Sequence, residues 1–150
     1  MGLFNRSKIP NEIYSYTEVV LDDVSKNFDL FDCDDDNFSV DNAIKFIGFF
    51  SYYIAGTTKP KYAQNLINLF CDNYILPKDK ATVEELIQKC YSIARNASDT
   101  LMSSGESLGS IIAVHSELLC DLNNWKITDN NKNLLSIVLE NYYAYLLEKK

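Results

Sequence analysis

The run from Val40 to Ala55 limits the folds open to this chain more than any other stretch. It reads Ala43, Ile44, Phe46, Ile47, Phe49, Phe50, Tyr52, Tyr53 and Ile54, a helix that is apolar almost all round. Such a helix has no face to offer water and has to be enclosed by other elements. Its most apolar part, Phe46 to Ala55, is far short of the roughly 18 to 20 residues needed to cross a bilayer. It is therefore expected at the centre of a fold, stopped by Gly56 and the turn Thr57-Thr58-Lys59-Pro60. Directly before it stands an aspartate-rich segment, Asp32-Cys33-Asp34-Asp35-Asp36-Asn37, so charge and core lie side by side.

What encloses this helix follows from composition. The 150 residues are 47% hydrophobic but include only five glycines and three prolines, too few for the many tight turns of an all-β fold. The expectation is an all-α protein, a single compact bundle of about six helices in antiparallel hairpins. Residues 1–10 read as a flexible N-terminal arm, and residues 11–150 as one helical domain. From Asn11, the positions Ile13, Tyr16, Val20, Leu21, Val24, Phe28 and Phe31 recur at helical spacing. A third helix spans Lys61 to Leu76. A fourth is capped by Thr82 with Glu85 behind it, along the stripe Val83, Leu86, Ile87, Cys90, Ala94, Ala97 and Leu101. A fifth carries Leu108, Ile111, Ile112, His115, Leu118, Leu119 and Leu122 on one face, and a sixth begins at Asp129.

Charge is divided unevenly. Residues 1–41 hold ten acids against three bases, which equals the net charge of −7 for the whole chain; residues 42–150 are neutral in sum. The acidic third, with Asp22, Asp23, Asp29, Asp32, Asp34, Asp35 and Asp36, repels nucleic acid and attracts a basic surface. The same charge has a structural use, because acids ahead of a helix favour its positive end, with Ser39 or Asp41 as the cap.

Several motifs invite chemistry. Asp32-x-Asp34-x-Asp36 matches the first three ligands of a calcium-binding loop, but the twelfth position, which needs a bidentate carboxylate, is Ala43. No metal is expected. Gly105-Glu106-Ser107-Leu108-Gly109 has the letters of a nucleophile elbow, yet a helix precedes it where a strand is required, and His115 follows on the same helix. It reads as a helix–helix turn. His115, the single histidine, sits on an apolar stripe without a second ligand residue, which suits a buried neutral imidazole bonded to a tyrosine or a backbone carbonyl.

The four cysteines lie far apart and form no C-x-x-C pair, and no signal peptide is evident, so a reduced, cytoplasmic protein is expected. Tyr142, Tyr143 and Tyr145 cannot all face one core, which raises a second copy of the chain as a partner. Altogether the sequence suggests a small acidic interaction protein, an inhibitor, immunity factor, nucleic-acid mimic or adaptor, docking a basic partner. Neither direct nucleic-acid binding, nor membrane insertion, nor a cofactor is expected. The alternatives are an aromatic-lined ligand pocket near His115, with or without catalysis, and a structural subunit of a larger assembly.

Overall fold

The computed structural model describes residues 2–27 and 39–150, and in them the apolar run is α2, Val40–Thr57, packed by α3 (Pro60–Tyr74), α4 (Lys80–Ser103), α5 (Leu108–Leu122) and α6 (Asp129–Leu147). A further helix, α1 (Gly2–Asn27), lies across α3 and α6. The described residues contain no strand. The chain is thus an all-α bundle whose hairpins, α2 with α3 and α5 with α6, close around the central helix. Eleven residues of α2 are buried, among them Phe46, Phe49, Phe50 and Ile54, all at zero exposure. Hydrophobic burial on this scale contributes most of the free energy that offsets chain entropy.

Helices α2 and α4 approach each other closely at Gly48. A Cβ built there would stand 2.4 Å from Cys90 Cβ and 2.9 Å from the Ile87 carbonyl oxygen. The absent side chain lets α4 lie directly on the α2 backbone. Ala94, also at zero exposure, lies one turn further along the same stripe of α4.

The crowding of tyrosines on α6 is resolved within the chain. Tyr142 is fully buried and stacks on Phe50 with centroids 4.0 Å apart. Its hydroxyl donates to Thr17 Oγ1 of α1 at 2.7 Å, because the Thr17 hydrogen is already given to the Ile13 carbonyl. Tyr145 stacks on Tyr16 of α1 at 3.8 Å, and Tyr143 meets Tyr53 of α2 edge to face. Helix α6 is therefore covered by α1 and α2 as well as by its hairpin partner α5. Lys149 binds Glu12 at 2.9 Å and closes the α1–α6 seam.

Three helix starts and one buried stripe depart from the sequence expectation. Helix α1 does not wait for Pro10 but begins at Gly2 and carries Pro10 inside it; half-buried Ile9 extends the core contact ahead of the proline. Helix α4 begins before Thr82, because a 3-10 turn at Pro77–Asp79 runs straight into it. Thr128, rather than Asp129, caps α6: its hydroxyl accepts from the Asn131 amide at 3.1 Å, while Asp129 sits in the first turn and pairs with Lys132. On α4 the buried stripe continues from Ala94 to Ser98, and Ala97 and Leu101 are only half-buried. Ser39 caps α2, as its place before the apolar run suggested.

Candidate functional site

Two regions compete for a functional role. The first is the acidic third. Of its seven carboxylates, Asp22 and Asp23 fall on the last turns of α1, and Asp29, Asp32, Asp34, Asp35 and Asp36 lie outside the described residues, as does the calcium-loop pattern that they form. Asp22 is answered by Lys26 at 3.0 Å, one helical turn on. Asp23 is exposed. Elsewhere on α1, Glu12 is held by Lys149, and the Lys149 ammonium keeps its carboxyl below the usual range. Glu18 accepts a 2.6 Å bond from the Tyr74 hydroxyl; burial and that acceptor together push the Tyr74 phenol up to about 12. Most of the carboxylates that α1 itself contributes therefore already have partners within the fold. The excess charge concentrates in Asp29–Asp36. Among the described residues no group of acids, histidines or cysteines is placed to hold a metal ion, and no helix is long and apolar enough to cross a membrane.

The second region surrounds His115. The ring has no exposed surface and is fixed by three helices. Its Nε2 lies 2.9 Å from the Ala94 carbonyl oxygen of α4. A carbonyl only accepts, so Nε2 carries the proton, and Ser98 Oγ at 3.1 Å shares it. Burial favours the uncharged ring and lowers its pKa below the ordinary 6.5. In that neutral tautomer Nδ1 is an acceptor, and the Tyr53 hydroxyl of α2 donates to it at 2.8 Å. Phe49 meets the imidazole edge to face with centroids 5.3 Å apart. Both nitrogens are thus satisfied and shielded, in the buried neutral state expected from the sequence, with both a tyrosine and a carbonyl as partners. Ser107 is not among them. Its hydroxyl caps α5 by accepting from the Ser110 amide, and Gly105 turns the chain at φ +77°, which makes the elbow-like letters a helix–helix turn.

The lowered pKa has a testable consequence. The unfolded chain binds a proton near pH 6.5 that the folded chain rejects, so stability falls as pH drops below about 6.5 and until the folded ring itself titrates. Urea unfolding of the parent chain and of His115→Gln at pH 7.5 and pH 5.5 isolates this group. The parent is expected to lose up to about 1.4 kcal/mol more per pH unit than the variant. Equal slopes would mean that the folded ring takes up its proton over the same pH range as the unfolded chain, so that burial does not shift it.

Beside this network lies a cavity of about 310 Å3. Tyr52, Tyr53, Gly56 and Thr57 form its α2 wall, with Ser98 and Met102 from α4. Leu108, Ile111 and His115 of α5, with Tyr143 of α6, complete it. Met102 and Leu108 are exposed at its rim, whereas Tyr53, Thr57 and Ser98 are buried. No carboxylate stands in the wall, and His115, although its ring backs the wall, has no exposed surface, so the pairing of an accessible imidazole with an acid that catalysis would need is missing here. The sequence pointed to His115 but missed Ser98, Gly56 and Tyr143. Ser98 was findable: Cys90, Ala94 and Ser98 continue the α4 stripe at steps of one turn. The cavity comes from three helices meeting and has no linear signal.

The three free cysteines among the described residues, Cys71, Cys90 and Cys120, are all buried, and burial pushes their thiols up, away from the reactive thiolate. They fill core. Comparison with known proteins returns no match to the chain, whether with a family model, a curated protein or a solved structure.

Proposed function

We propose that this chain is a non-enzymatic, cytoplasmic interaction protein whose acidic N-terminal third docks the basic surface of a protein partner, as an inhibitor, immunity factor, nucleic-acid mimic or adaptor does. The observation that carries this reading is the confinement of the whole net charge of −7 to residues 1–41. With Asp22 engaged by Lys26 and Glu12 by Lys149, the recognition charge falls to Asp23 and to Asp29, Asp32, Asp34, Asp35 and Asp36. Such a field speeds association and selects the partner by charge complementarity. A second copy of the chain has no role in this reading.

Co-purification from a native lysate at low and at high salt tests it. The partner is expected to be lost at high salt, where the screening length falls to a few ångströms, and to be lost when Asp34, Asp35 and Asp36 are changed together to Asn. Retention under both conditions would remove the electrostatic basis. A second reading, a small-ligand site, is favoured by one specific observation, the aromatic-walled cavity beside His115. Its volume lies at the lower end of the roughly 300 to 1,000 Å3 usual for ligand pockets. The enclosure of His115 argues for binding there rather than for acid–base catalysis.

A further inference from the structure

Within that second reading, on which this inference rests, two buried hydroxyls of the wall indicate the class of ligand. The Tyr53 hydroxyl has given its hydrogen to His115 Nδ1, and the Thr57 hydroxyl has given its hydrogen to the Tyr53 carbonyl at 2.8 Å. Both are buried, and both have only lone pairs left to offer a guest. No charged side chain stands in the wall, so a carboxylate or an ammonium would lose its hydration without a counter-charge. Tyr52, Tyr53 and Tyr143 provide apolar ring surface, with the Tyr53 and Tyr143 planes at 89°.

Gly56 completes the argument. It lies in the last turn of α2, where glycine weakens a helix, and its backbone has no left-handed φ to require it. A Cβ there would meet nothing within 4 Å, so neighbouring atoms do not require it either. Its bare backbone is part of the cavity wall. What the missing side chain preserves is space.

We propose that the cavity binds a compact, uncharged aromatic molecule carrying a hydrogen-bond donor, of the indole or phenol class, and that Gly56 keeps the cavity open for it. The donor reaches the lone pairs of Tyr53 or Thr57 while the ring lies among the tyrosines. Anionic ligands and plain hydrocarbons fit less well.

Isothermal titration calorimetry of the full chain with indole, N-methylindole and toluene tests this. Indole is expected to bind with a dissociation constant below about 1 mM, and N-methylindole, which keeps the shape but loses the donor, about tenfold more weakly. Gly56→Leu and Leu108→Trp, which fill the space from two different helices, are expected to weaken indole binding at least about tenfold with circular dichroism and melting temperature preserved. Two variants are used so that one misfolded protein does not decide the matter. Equal affinity for indole and N-methylindole would overturn the donor rule and leave the cavity as a ligand site. Absence of binding by all three probes would remove the ligand-site reading itself. Indole binding retained in both folded variants would place the site elsewhere and overturn the role of Gly56.

Discussion

Phe50→Ala is expected to destabilise the protein by about 3 to 5 kcal/mol, read as a shift of the urea midpoint with little change in slope. Phe50 is at zero exposure, stacked on Tyr142 at 4.0 Å and tilted against Phe46 at 5.8 Å. Removing the ring leaves a cavity in the middle of the bundle. Neighbours that are themselves locked collapse poorly: Tyr142 is held by its bond to Thr17 and cannot follow the receding surface without giving that bond up. A domain of this size is typically stable by about 5 to 15 kcal/mol, so one substitution takes a large share. A loss below about 1 kcal/mol would mean that α2 is not the central element.

The second large effect is expected from adding atoms. Gly48→Leu should destabilise by about 3 kcal/mol or more, and Gly48→Ala by about 1 to 3 kcal/mol despite the better helix propensity of alanine. The reason is the 2.4 Å that separates a Cβ at this position from Cys90 Cβ, with the rigid Ile87 carbonyl behind it. The two helices have to move apart along their contact. Thermal melts of both variants check this, and a Gly48→Ala protein as stable as the parent would show that α4 yields freely. Cys90→Ser does not relieve the clash, since its Cβ stays, whereas Cys90→Gly in the Gly48→Ala background should recover part of the loss.

These two residues mark how far the sequence could be read. Phe50 was legible: it belongs to a run with no polar face, and enclosure by other helices is the only outcome that satisfies it. Gly48 lies in the same run and was not legible, because a glycine on a buried helix shows its use only when a second backbone arrives against it. The acidic third divides in the same way. Its charge is a plain count, but that Asp22 would be answered by Lys26, and Glu12 by a lysine at the far end of the chain, depends on rotamers and on the docking of α6. The fate of His115 was readable in kind, a neutral ring with a tyrosine and a carbonyl. Its particular partners were not, since Tyr53, Ala94 and Ser98 come from two other helices. Capping preferences narrowed the α2 cap to Ser39 or Asp41, of which Ser39 takes the role, while at α4 and α6 the neighbouring turn geometry shifted the boundary by a few residues.

The seam between α1 and α6 bears on the order in which the molecule is completed during synthesis. Its bonds join residues 125 to 137 positions apart: Thr17 to Tyr142, Glu12 to Tyr145 and Glu12 to Lys149. At roughly 5 to 20 residues per second, a ribosome delivers the second half of each pair on the order of ten seconds after the first. During that interval α1 can rest on α3, and the side that Tyr142 and Tyr145 will cover, with Tyr16 on it, still lacks them. Helix α1 is therefore made well before the helix that covers it, and its α6 side is sealed only when the far end of the chain docks.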